Sequence, residues 1–186
     1  MKGWTCDELE QVLDEVDQFD RAVNGGLSSI ITWTVPVKRV DKNKWCAYYH
    51  WYGTITVENP FTSNCASGTL GHELVHAWDH KQGISSKFAE YVGASRSWLW
   101  GKYDVGNETP PLYGGGDPKS AFEDFAESVT EYVYDQKDQE RILSTEKRWK
   151  FVETLLDTGT ILTPTSSTTS ANCSPAALAA LESLWN

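Results

Sequence analysis

Residues 71–80 read GHELVHAWDH, with histidines at 72, 76 and 80. On an α-helix, residues four apart lie about 40° apart in azimuth and about 6 Å apart along the axis. His72 and His76 therefore project from one face, one turn apart, where two imidazoles can hold one Zn2+ at about 2.0–2.1 Å. Glu73 lies about 100° round the helix from His72, which keeps it off the metal but lets it reach a metal-bound water. The filler residues Leu74, Val75, Ala77 and Trp78 are mostly apolar, as a helix inside a core requires. The plain alternative is two locally bonded histidines on an ordinary helix. It would need two of only four histidines in the chain to flank a glutamate at this spacing by accident. The segment is read as two metal ligands and a base, and it obliges the fold to bring a third ligand from elsewhere.

His80 is not that ligand, because about 12 Å of helix rise separates it from His72. It is expected to cap the helix end or line the cleft. Asp79 meets a similar geometric objection. A second segment, AFEDFAESVTEY, carries Glu123, Glu127 and Glu131 four apart on one helical stripe. Charge runs of this kind are usually solvated, and that reading is adopted for Glu131. Glu123 borders the apolar face formed by Phe122, Phe125 and Ala126, so it is the candidate third ligand. Glu127, one turn on, is placed to accept the N–H of a ligand histidine and hold its tautomer. The reverse assignment of the two glutamates stays open at this level.

The rest of the chain is consistent with one globular domain. It has 186 residues, 40% of them hydrophobic and nine of them Trp, enough to bury a core. With 26 acidic and 16 basic residues the net charge is −10, which disfavours nucleic acid and anionic membranes as partners. No 18-residue apolar run exists, so no transmembrane helix is expected. The start lacks the apolar stretch of a secretory leader. Four cysteines at 6, 46, 65 and 173 form no C-x-x-C pair. Two disulfides are expected, preferably Cys46–Cys65 and Cys6–Cys173, which points to an extracellular or cell-surface protein.

Thr5 to Glu8 reads as a capping box opening a helix over 6–22. Ser29–Val40 is β-prone with a break at Pro36, and Trp45–Glu58 is β-prone with a bend near Gly53. A helix over 67–82 stops at Gly83. A further helix is expected over 86–100, then a long loop over 101–117, then a helix capped by Asp117 with Pro118 in its first turn. More helix covers about 138–157. The low-complexity TPTSSTTS of 163–170 separates a domain of residues 1–162 from a short closing helix within 163–186, tied back by Cys173. Helix, strands, then helices make the class α+β.

An H-E-x-x-H helix followed some tens of residues later by E-x-F-A-E resembles the gluzincin metallopeptidases. The likeness is to the group containing the anthrax lethal factor catalytic domain and the Pro-Pro endopeptidases, and it covers roughly residues 45–157. The resemblance implies a zincin-like fold, with a small, mostly antiparallel sheet on the H-E-x-x-H helix and a helical C-terminal half. It implies a zinc endopeptidase with one catalytic ion on His72, His76 and Glu123. Glu73 would be the general base toward a zinc-bound water, Glu127 the outer carboxylate, and Tyr113, in the loop before the second helix, the group that hydrogen-bonds the reaction centre. A protein or peptide substrate and a monomeric state are expected. The competing readings are a catalytically weak zincin-like domain that binds a partner protein, and a purely structural zinc site.

Overall fold

The computed structural model describes residues 4–40, 46–58, 65, 68–96, 103–106, 120–134 and 146–161. The first helix, α1 (Cys6–Ala22), is opened by a complete capping box: Thr5 Oγ1 accepts from Glu8 N–H while the Glu8 carboxylate accepts from Thr5 N–H. Phe19 and Glu15 form its buried face. The expected strand over 29–40 is mostly absent. Gly26, at φ 73°, turns the chain, and Asp20 accepts the Leu27 N–H to start a four-residue helix, α2 (Leu27–Ile30). Only β1 (Val37–Arg39), directly after Pro36, is strand.

β2 (Ala47–His50) and β3 (Thr54–Val57) form the expected hairpin, with Gly53 at φ 92° in the turn. The sheet order is β1-β3-β2, and β1 pairs with β3 in parallel. The sheet is therefore mixed rather than mostly antiparallel. All four residues of β3 are buried, so burial favours this strand for the centre, between the two that precede it. A disulfide joins Cys46, at the start of β2, to Cys65, as expected. Cys6 is exposed at the start of α1, and Cys173 lies outside the described residues.

α3 (Thr69–Gln82) carries the H-E-x-x-H segment and stops at Gly83, which adopts the left-handed conformation that glycine tolerates best. The same glycine opens α4 (Ile84–Val92), where Asp79 Oδ1 accepts the Ser85 N–H. α4 ends at Gly93, well short of the expected end at 100. The next residues form β4 (Ser95–Arg96), paired with β5 (Tyr103–Asp104) in a stretch expected to be helix and loop. α5 (Ala121–Tyr134) starts at Ser120, whose hydroxyl accepts the Glu123 N–H. The expected cap, Asp117 with Pro118, lies outside the described residues. α6 (Glu146–Thr158) completes the described helices, and the segment 163–186 lies outside them.

α5 packs on α3, α4, α6 and α1, so it is buried on nearly every side. That overturns the solvated reading of Glu131, which is buried. Phe88, Phe125 and Phe151, from α4, α5 and α6, meet with centroids 5.3–6.3 Å apart, and Trp78 of α3 joins them. This aromatic core fixes α3 against α5. Gly71 sets how closely they approach, because a Cβ there would collide with the Tyr134 ring, whose hydroxyl donates to the Glu15 carbonyl (2.7 Å). No helix among the described residues is long and apolar enough to cross a membrane.

Candidate metal centre

α3 has no side-chain cap of its own. Its first N–H groups, which a helix leaves unpaired, face α1: Glu15 Oε2 accepts from Leu70 (2.8 Å), and the N–H groups of Gly68 and Gly71 lie close to the same carboxylate. Burial raises the Glu15 pKa, and these three donors work against the rise. The arrangement anchors the metal-binding helix one turn before His72.

His72 and His76 then project together, their ring centroids 4.6 Å apart and their planes nearly perpendicular. From α5, Glu123 Oε2 comes within 3.3 Å of His72 Nε2 and 3.5 Å of His76 Nε2. One donor atom from each residue lies within 4.8 Å of the others. A tetrahedral ion with bonds of about 2.0–2.1 Å spaces its ligand atoms about 3.3 Å apart, so the two measured distances suit one shared cation. His76 is buried and stacks flat on Phe122, with centroids 4.0 Å apart and planes 9° apart. Phe122, expected on the core face, is thus a wall of the site. The His76 Nδ1 atom is buried with no hydrogen-bond partner among the described residues. The donor set and its spacing fit a metal ion: His72, His76 and Glu123 could hold one.

The electrostatics follow from this cluster. The two imidazoles, His72 first, hold the Glu123 carboxyl well below the usual carboxylate range. Desolvation pulls the His72 pKa down, but the hydrogen bond to Glu123 and the charges of Glu73, Glu123 and Glu127 more than offset it, and the pKa is raised. Glu73 is 8% exposed, and burial raises its carboxyl, against the two histidines and the nearby main-chain N–H of Tyr49. Glu127 is buried one turn beyond Glu123. Desolvation, helped by the carboxylates of Glu123, Asp124 and Glu131, pushes it up to about 8. One of its oxygens, Oε2, is buried without a hydrogen-bond partner among the described residues.

The structure therefore brings together His72, Glu73, His76, Glu123 and Glu127, while Tyr113 lies outside the described residues. Sequence reasoning missed Tyr49, which reaches Glu73 through its main chain. Such a contact has no residue-type signature. It also missed the flat Phe122–His76 stack, for which the only hint was an aromatic directly before a candidate ligand. The Tyr103 hydroxyl donates to buried Asp124 (2.9 Å), next to Glu123 in the chain. Compared with known proteins, the chain matches no family model, no curated protein and no solved structure.

Proposed function

We propose that this chain is a zinc-dependent endopeptidase of the gluzincin type. The reading is carried by one observation: His72, His76 and Glu123 converge from two helices, with buried Glu73 next to the first ligand. Zinc, when bound there, supplies Lewis acidity and brings the pKa of water toward about 7.

Glu73 has the position and the raised carboxyl pKa suited to taking a proton from the attacking water and passing it to the leaving amine. Glu127 is the outer carboxylate whose charge acts on His72. Tyr113 is assigned to the developing oxyanion by the resemblance alone. β2 is an edge strand beside α3, and an extended peptide can lie along its outer side, using outward main-chain groups other than the Tyr49 N–H that faces Glu73. The fold in this reading is zincin-like. The disulfide between Cys46 and Cys65 supports an extracellular or cell-surface setting.

A second reading has one observation in its favour. Trp51 is 81% exposed and Tyr52 59% exposed at the tip of the β2–β3 hairpin. Exposed aromatics suit a zincin-like domain that binds a partner protein with little or no catalysis.

A peptide-library digest, with and without a chelator, tests both. Wild-type protein is expected to cleave peptides in a metal-dependent way. Glu73→Gln should retain zinc and lose about 10²- to 10⁴-fold in kcat. Full activity in that variant would sink the mechanism, and a wild type that holds zinc and peptide without cleavage would favour the binding module.

A further inference from the structure

His80, two turns beyond Glu73 on α3, is too far along the helix to join the metal site. It has another partner: its Nδ1 lies 3.1 Å from the Tyr49 hydroxyl, and the two rings meet edge to face, with centroids 5.7 Å apart. Burial keeps the Tyr49 phenol above its ordinary pKa, so it is protonated and able to donate.

Tyr49 sits on β2, the edge strand. The Cys46 carbonyl accepts from Glu58 N–H (2.9 Å), so the hydrogen-bonded positions of the β2–β3 ladder are 46, 48 and 50. The main-chain N–H of Tyr49 therefore points outward, on the side where an edge strand ordinarily meets water. Here it faces the buried Glu73 carboxylate and favours its charged form. One residue thus meets α3 at two points, its phenol bonded to His80 and its main-chain N–H facing Glu73.

We propose that His80 is a positioning residue. By holding the Tyr49 phenol it clamps β2 against α3, and the Tyr49 main-chain N–H then keeps the Glu73 carboxylate aimed beside His72, His76 and Glu123. The effect on turnover rests on the peptidase reading, whereas the clamp does not.

The test is amide hydrogen exchange at position 49 in the full chain, measured by NMR alongside kcat, KM and zinc content. His80 is exposed, so substitution there leaves the core intact. His80→Ala and Tyr49→Phe are expected to speed exchange of this amide about 10-fold. They should lower kcat about 10- to 100-fold, with KM and zinc content unchanged. His80→Asn, whose side-chain oxygen can accept the phenol in place of Nδ1, should restore both readouts. Equal exchange in wild type and His80→Ala would overturn the clamp, and so would a loss that His80→Asn fails to rescue. If the wild type cleaves no peptide, the peptidase reading fails while the exchange data still decide the clamp.

Discussion

Glu123 and Asp124 are neighbours on α5 in opposite surroundings. Asp124 is fully buried and both its oxygens are taken: Arg148 Nε donates to Oδ1 (2.9 Å), while Arg148 Nη2 (2.8 Å) and the Tyr103 hydroxyl (2.9 Å) donate to Oδ2. Arg148, itself 1% exposed, also donates to the Val105 carbonyl. The side chain of Glu123 is 43% exposed, and a single oxygen faces two imidazoles. Buried Glu127, one turn on, has an oxygen without a partner among the described residues. One carboxylate closes a finished ion pair that ties α5 to α6 and β5. The other meets both imidazoles in a cluster where His76 Nδ1 and Glu127 Oε2 have no partner among the described residues. Buried polar groups are normally paired, so atoms left short beside His72, His76 and Glu123 suit a group of residues that could hold a metal ion.

Exchanging the fates of these two neighbours tests the contrast. Glu123→Ala should cost at least about 100-fold in zinc affinity, read by competition with a chelating dye, because an inner ligand outweighs the outer contacts whose loss costs about 10- to 100-fold. Metal-free stability should fall by less than the loss in Asp124→Ala, since the side chain is partly exposed and loses only its contacts with two imidazoles. Asp124→Ala should do the reverse. It strands a buried guanidinium, and removing one partner of such a pair costs about 3–5 kcal/mol, measurable by urea titration. Molecules that remain folded should bind zinc as the wild type does. If both substitutions acted equally on metal and stability, the division of labour would be wrong.

A smaller effect sharpens the same contrast through pH. The Glu127 carboxyl is raised to about 8, chiefly by desolvation, so the fold favours its protonated form. Its contribution to stability is complete below the unfolded pKa of about 4.3 and is lost as pH rises through about 8. Metal-free protein should therefore melt progressively lower between pH 5 and 9 on account of this group, and Glu127→Gln should flatten the trend. An unchanged slope in that variant would place Glu127 in water rather than in the crowded cluster.

How much of this the sequence carries depends on range. The capping box of α1, the bend at Gly53, the stop at Gly83 and the spacing of His72 and His76 are local patterns, and the structure follows them. Glu123 was legible for a different reason: an unfilled ligand position asked for a carboxylate at the border of an apolar face. The failures are long-range. Placing β3 between β1 and β2 depends on burial over both faces, and the hydrophobic pattern of 29–40 read alone as strand hides a turn made by Gly26 and Asp20. Glu131 reads as solvated because its sequence neighbours do not disclose that four helices surround α5. Arg148 and Asp124 lie 24 residues apart, and nothing near either announces the other.

The central claim is that one metal ion sits between His72, His76 and Glu123. The most direct measurement is anomalous diffraction at the zinc edge from crystals of the zinc-loaded protein. The account predicts one strong peak about 2.0–2.2 Å from a nitrogen of each imidazole and an oxygen of Glu123. A peak bonded elsewhere, or none at full zinc loading, would contradict it.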